Sequence, residues 1–383
     1  MAELRAELRD YFARLVPPEV EAELELGELG GDTFRRIYRT LGEDGWLGIG
    51  WPKEFGGQGR GSLEQFVFFD EADRAAVPVP FLTIKSIGPM LMDHGTPAQQ
   101  AEYLPAILEG KIHFSIGYTE PDSGTDLASL RTAAYRDGDE YVISGQKIFT
   151  SYIGDADYIW LAARTGEGVK KHHGISILIV PRDAVGLSVT PIEILPGTRT
   201  YATYYDDVRV PVGNLVGEEG KGWGLIMGQL NYERVAMSTP GRVERSLRDV
   251  TIWAQHTDAA DGRKLIEHDW VKHKLARVHV LLELLRFMNW QVAWHAGEGS
   301  LNPADASATK VFGSEAYNES YQLLFEVTGA LGGLRSGSAG AVVDGRVENE
   351  YRIPIVMTFG GGTNEVQRDL ISGFGLGLPV SRT

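Results

Sequence analysis

Apolar and polar positions change their period twice along the chain. Up to about residue 112 apolar residues recur at steps of three and four in LRAELRDYFARLV, DTFRRIYRTLGEDGWLGI, SLEQFVFFDEADRAA and PAQQAEYLPAILEG, which predicts amphipathic helices. The breaks WPKEFGGQGRG and AAVPVP are glycine and proline punctuation. From His113 to about Val216 the runs shorten, alternate and fill with β-branched residues: EYVISGQKIFTS, DYIWLAAR, GISILIV, LSVTPIEIL and TYATYYDDVRV, separated by turns such as RDGDE and RTGEG. After Gly222 the helical period returns in GLIMGQLNYERVAMSTPGRVERSLRDVTIWAQ, WVKHKLARVHVLLELLRFMNWQVAWHA and DASATKVFGSEAYNESYQLLFEVT, and EVQRDLISGFG reads as a last short helix. The pattern predicts an α+β chain that is helical over 1–112, β over 113–222 and helical over 223–383, with no internal repeat.

Composition narrows the chemistry. A chain of 383 residues, 43% of them hydrophobic, can bury one large core or two to three smaller ones. Cysteine is absent, which excludes disulfides, thiolate ligands, thiol nucleophiles and a cofactor tethered through sulfur. A net charge of −15 repels a phosphate backbone, so nucleic acid is not an expected partner, and any polyanionic ligand must find local positive charge or backbone N–H groups. The amino terminus lacks the basic-then-apolar pattern of a secretion signal and no apolar run approaches a membrane span, so a soluble cytoplasmic protein is expected.

Three segments stand out for chemistry. In GYTEPDSGTDLASLRT (117–132) small residues and hydroxyls surround Pro121, and taken singly the segment reads as a loop capped by Asp122, Ser123 and Thr125. In SGQKIFTSYIGDADYIWLAAR (144–164) Phe149, Thr150 and Ser151 fall at the end of a strand, where sheet packing with a polar edge is the plain explanation. In TFGGGTNEVQR (358–368) three glycines lead into a helix; such turns mostly serve as turns, although they can present N–H groups to an anion. His172 and His173 lie in a polar turn and read as solvent-facing, and His268, His273 and His279 lack a carboxylate-rich companion pattern for metal binding. The aromatic residues of LLRFMNWQVAWHA read as core or subunit contacts.

Together, in this order and spacing, the three segments resemble the acyl-CoA dehydrogenase family over essentially the whole chain: Y-T-E-P-x-x-G-T-D, then G-x-K-x-[FW]-[TI]-[ST], then G-G-T-x-E-x-Q-R. The resemblance implies that family's fold: an N-terminal helical domain, a central β domain carrying flavin contacts, and a C-terminal helical domain carrying the base and the subunit interface. It also implies FAD as cofactor, an acyl-CoA substrate desaturated to trans-2-enoyl-CoA, and an electron-transfer flavoprotein as acceptor. By position, Thr119 and the backbone of Gly117 and Tyr118 would bond the flavin edge and Thr125 the pyrophosphate. Phe149 would lie against the isoalloxazine, and Thr150 and Ser151 would reach its N5 and O4. A flavin needs an apolar stacking face and fixed donors, and these segments offer both.

The reaction needs a carboxylate at the substrate α-carbon. Many relatives carry it just before the G-T of the last motif, where this chain has Gly361. A second group, which includes isovaleryl-CoA and steroid-CoA enzymes, carries it in a segment like L-x-x-E-R on the first helix after the β domain. Here that segment is QLNYERVAM, so Glu233 is the candidate base and Arg234, beside it, a candidate substrate-binding residue. A lone Glu–Arg pair on a helix reads as a solvated ion pair; the vacancy at Gly361 favours catalysis. The Gly361 N–H is then expected to join in binding the thioester oxygen.

Two regions depart from homotetrameric relatives, which complete each FAD site from a neighbouring subunit. HTDAADGRKL places Asp258 and Asp261 where an arginine and a phenylalanine are usual, and FEVTGALGG places Ala330 and Leu331 where glycine and a polar residue are common. A carboxylate facing a pyrophosphate is unfavourable. The asymmetry resembles the steroid side-chain acyl-CoA dehydrogenases of cholesterol-degrading bacteria, α2β2 heterotetramers with one FAD per heterodimer, and this chain resembles their base-bearing subunit. The alternatives are a flavin oxidase or monooxygenase on the same fold, or a non-catalytic partner subunit.

Overall fold

The computed structural model of the chain describes residues 1–26, 30–166, 170–195, 197–234 and 238–379; the side chains of 25–26 and 231–234 lie outside the description. Helices α1 (Ala2–Leu15), α2 (Pro18–Leu26), α3 (Asp32–Glu43), α4 (Ser62–Arg74), α5 (Gly88–His94) and α6 (Pro97–Leu108) come first. Strands β1 (Phe114–Gly117), β2 (Ala133–Asp137), β3 (Glu140–Lys147), β4 (Tyr158–Arg164), β5 (Ile175–Pro181), β6 (Leu187–Glu193), β7 (Arg199–Pro211) and β8 (Leu215–Val216) follow. Helices α7 (Gly222–Arg234), α8 (Gly241–His256), α9 (Asp269–Gly297), α10 (Pro303–Thr328), α11 (Arg346–Arg352) and α12 (Asn364–Leu370) complete the chain. The α+β class expected from the periodicity is the class observed.

Several boundaries differ from the sequence pattern. The helix expected over 32–49 stops at Glu43: Gly45 adopts a left-handed φ of 77°, which ends the helix, and Trp46–Gly48 form a separate 3-10 turn. The long run beginning at Gly224 is split into α7 and α8, with Pro240 immediately before α8, where a residue without an N–H does least harm. The last helix continues past Leu370 as a π-helical turn over Ile371–Gly375.

The chain divides into two compact units, residues 18–60 with 78–233, and residues 1–17 with 61–77 and 234–383. In the first, the sheet runs β6-β7-β3-β2-β4-β5-β8, with β1 pairing in parallel to β4. β4 and β5 are buried throughout their interiors and, but for Ser176 in β5, apolar there, whereas β6, at the edge, is mostly exposed. Ile143, Ile159, Leu161, Leu178, Val180 and Val208 form the core of this sheet. In the second unit, α8, α9 and α10 bury Val250, Val271, Leu282, Leu285, Tyr321 and Leu324 together.

The α1 helix belongs with this second unit through ion pairs to α4. Arg5 pairs with Asp70 at 2.7 Å and also with Glu71, and Arg9 pairs with Glu71 at 2.8 Å. Gly241, at the start of α8, approaches α4 so closely that its N–H donates to Asp70 Oδ1 at 2.8 Å and an added Cβ would overlap the Asp70 carbonyl. The α9 aromatic residues split between core and surface. Trp290 packs on Phe66 with ring centroids 5.4 Å apart, while Phe287 and Trp294 are exposed.

Candidate active site

β1 delivers Gly117 to the sheet end, and the chain leaves it through Tyr118 and Thr119. Tyr118 is buried; its hydroxyl donates to Gln229 Oε1 on α7 and accepts from Trp160 Nε1 at 3.1 Å. The ring therefore faces the protein interior. Thr119 is half-buried, its carbonyl accepting from Ile148 N at 2.8 Å. Thr125 is exposed, and neither threonine hydroxyl has a hydrogen-bond partner among the described residues.

The first two motif segments are joined by a buried ion pair. Lys147, wholly buried at the end of β3, donates to Glu120 Oε1 at 2.9 Å and to the Tyr118 carbonyl at 3.0 Å. Glu120 also accepts from the N–H groups of Arg131 and Thr132 at 2.6 and 2.7 Å. Burial pushes the Glu120 carboxyl up, but the Lys147 charge and the hydrogen bonds from Lys147 and Thr132 outweigh it and hold the group below its ordinary value. Burial pushes Lys147 down to about 8, with Glu120 opposing.

Beyond Lys147 the strand ends rather than continuing through Phe149 as the sequence suggests. Phe149 has φ of 60° and is 58% exposed. A left-handed conformation on a bulky residue is strained by roughly 1–2 kcal/mol and persists only where the surroundings impose it. Here they do: Ile148 on one side is bonded to Thr119, and Thr150 N on the other donates to the Tyr201 carbonyl at 3.0 Å. Thr150 is buried with its hydroxyl 3.4 Å from that of Thr203, and the Ser151 hydroxyl lies 3.1 Å from that of Thr200. Their side chains are thus engaged with β7, and Phe149 is the member of the trio that is presented outward.

The glycine motif belongs to the helical unit. Gly361 and Gly362 take φ of 68° and 95°, and a Cβ on Gly362 would sit 2.6 Å from Gln367 Nε2. Thr363 caps α12, its hydroxyl accepting from Val366 N at 3.3 Å. Gln367 Nε2 donates to the Gly361 carbonyl at 3.4 Å, and buried Lys310 on α10 donates to the Gly362 carbonyl at 2.7 Å. The Gly361 N–H donates to no acceptor among the described residues. Glu233 and Arg234 fall in the last turn of α7, with side chains outside the described residues.

Asp258 pairs with Lys264 at 2.6 Å, and Asp261 with Arg263 at 2.7 Å, both on an exposed turn. Their charges are locally compensated, so the repulsion expected of bare carboxylates there is weaker than the sequence suggests. Leu331 is exposed in a 3-10 turn over Gly329–Gly333. His173 is exposed, whereas His172 is half-buried, its ring centroid 6.2 Å from that of Trp223.

The motifs contain Glu120 and Lys147 but carry no sign that the two pair, and the sequence pattern does not single out Gln229 or Lys310. Gln229 is fully buried with Nε2 unpartnered beside Tyr118. Nothing local marks either residue: each is a polar position on a helix, and its partner lies far along the chain.

Family models for the acyl-CoA dehydrogenase N-terminal, middle and C-terminal domains match residues 2–111, 115–208 and 220–375. The chain belongs to the acyl-CoA dehydrogenase family. It is 53% identical to acyl-CoA dehydrogenase FadE26 of Mycobacterium tuberculosis, over 98% of this chain and 96% of that one. With acyl-CoA dehydrogenase FadE29 of the same organism the identity is 47% at the same coverage. Among solved structures, a chain of the ChsE4-ChsE5 complex from Mycobacterium tuberculosis superposes with TM-score 0.93 at 53% identity, covering 99% of this chain and 98% of that one. A chain of the Tcur3481-Tcur3483 steroid ACAD gives 0.93 at 50% with the same coverage. Among the described residues no helix is long and apolar enough to cross a membrane.

Proposed function

We propose that the chain is the base-bearing subunit of an FAD-dependent dehydrogenase that converts a steroid side-chain acyl-CoA to its trans-2-enoyl-CoA. It would work in an α2β2 heterotetramer with a second, homologous chain and reduce an electron-transfer flavoprotein. The observation that carries this is the likeness, at 50–53% identity, to chains of two assemblies each named for two components, one of them called a steroid ACAD.

The residues present suit FAD. An exposed aromatic face at Phe149, two unengaged hydroxyls at Thr119 and Thr125, and an unpartnered buried amide at Gln229 beside Tyr118 are what a stacked, hydrogen-bonded ring system calls for. Bound FAD supplies the acceptor for the β-hydride. Glu233 takes the α-proton as its carboxylate and ends the step protonated. The Gly361 N–H donates to the thioester oxygen, whose negative charge grows as the α-proton leaves, so the bond strengthens towards the transition state. Asp258 offers no cation to a neighbour's pyrophosphate, so the second chain is expected to bring one. A missing charge-assisted bond weakens binding by roughly 1.5–3 kcal/mol, about ten- to a hundredfold.

The test is to purify the chain alone and coexpressed with a homologous chain, measure flavin absorbance per chain and mass by light scattering, and assay a panel of acyl-CoA thioesters. One FAD per pair of chains, with turnover on steroid side-chain thioesters, is expected. In the same assembly Glu233→Gln should keep FAD and lose turnover by roughly 10²–10⁴-fold. Wild-type turnover in that variant removes Glu233 from the mechanism. A fully active homotetramer with an FAD in every chain removes the heteromeric assembly.

A further inference from the structure

The glycine turn has few means of holding its own shape. Gly361 and Gly362 carry no side chains and both lie at positive φ, where glycine has wide freedom. Its order must come from neighbours. Lys310, only 1% exposed on the 26-residue helix α10, reaches it from below: Nζ donates to the carbonyl of Gly362 at 2.7 Å, to Asn364 Oδ1 at 2.8 Å and to the carbonyl of Thr358 at 3.4 Å. These acceptors straddle Gly361 on both sides. Asn364, itself buried, is fixed in turn by Ser314 on the same helix, its Nδ2 donating to Ser314 Oγ at 3.0 Å. Gln367 holds the Gly361 carbonyl, so the carbonyls of Thr358, Gly361 and Gly362 are restrained while the Gly361 N–H donates to no acceptor among the described residues.

Packing does not explain a lysine here. Withdrawing an ammonium from water is strongly unfavourable, and leucine or methionine would fill the same helical position without that penalty. What lysine adds is three donors at one point, able to gather carbonyls from separate places on the turn onto a long, rigid element.

We propose that Lys310 is a positioning residue that sets the orientation of the Gly361 amide for the thioester oxygen. The proposal rests on the assignment of Gly361 as a thioester donor. A misplacement of about 1 Å at a reacting group can lower the rate about 10²-fold, and a donor used chiefly in the transition state acts on kcat more than on KM.

The experiment uses the assembled, flavin-loaded enzyme with Lys310→Met and with Lys310→Gln, the second keeping a donor should the first fold poorly. Amide hydrogen exchange is followed in residues 356–366 by mass spectrometry, with α9 as internal reference, alongside kcat and KM. Expected are exchange in the turn at least tenfold faster in Lys310→Met and less so in Lys310→Gln, unchanged exchange in α9, kcat lowered tenfold or more in Lys310→Met, and KM within threefold of wild type. Unchanged exchange in both variants overturns the proposal. So does faster exchange with wild-type kcat. Should wild type turn over no acyl-CoA while the variants exchange faster, the dehydrogenase assignment fails and the clamp on the turn stands.

Discussion

Lys147 in the sheet unit and Lys310 in the helical unit each draw a motif loop onto a rigid element, but they meet different partners. Lys147 meets a carboxylate, Glu120, whose remaining capacity is taken by two backbone N–H groups. Lys310 meets two backbone carbonyls and the amide oxygen of Asn364. An ion pair this deeply buried is intolerant of losing one member, because the other is left as an unpaired charge. A cation shared among several acceptors loses a smaller share of its stabilisation when one neutral acceptor is removed. The same difference governs what can be seen in advance: the Glu and Lys of the first clamp stand inside recurrent motifs, whereas carbonyls leave no trace in a sequence.

The sharpest test of this contrast is Glu120→Gln. It strands the Lys147 ammonium, and a destabilisation of roughly 3–5 kcal/mol is expected from chemical denaturation. A loss below about 1 kcal/mol would erase the distinction between the clamps. The pH dependence sharpens it further. Burial is outweighed by the Lys147 charge and the hydrogen bonds, which hold the Glu120 carboxyl below its ordinary value, so its contribution is complete above that ordinary value and disappears as pH falls through the folded one. Denaturation midpoints taken from pH 6 down to pH 3 should therefore fall less steeply in Glu120→Gln than in wild type; parallel slopes would deny the pair its role. The smallest effect is expected at the other clamp, where Asn364→Ala removes one neutral acceptor and should destabilise by roughly 1.5–3 kcal/mol. A loss equal to that of Glu120→Gln would make the two clamps equivalent.

The order of helical and β regions could be read from the chain because burial on one face imposes a local period, and that period survives in every long element. Boundaries were lost where one residue overrides the period, as at Gly45 and Pro240. In the candidate site, the motifs mark segments of the chain but not the directions of their side chains. Tyr118 turns inward because Gln229 and Trp160 await its hydroxyl, and Phe149 turns outward because its neighbours are anchored to Thr119 and Tyr201. Both outcomes depend on partners dozens of residues away. Lys310, 52 residues from Gly362, was invisible for the same reason.

The grouping of α1 and α4 with the C-terminal helices has a bearing on biosynthesis. As the chain leaves a ribosome, residues 18–60 and 78–233 can complete their own unit once Glu233 has emerged, but α1 and α4 belong with residues 234–383. At about 5–20 residues per second that interval is on the order of 10 s, during which the apolar faces of both helices have no final partner. The pairs from Arg5 and Arg9 to Asp70 and Glu71 join α1 and α4 without needing any later segment, so the two helices can wait as a pre-assembled pair. Within such a doublet Phe12 and Phe68, whose ring centroids lie 5.8 Å apart in the folded chain, would already cover part of each other before the bundle arrives.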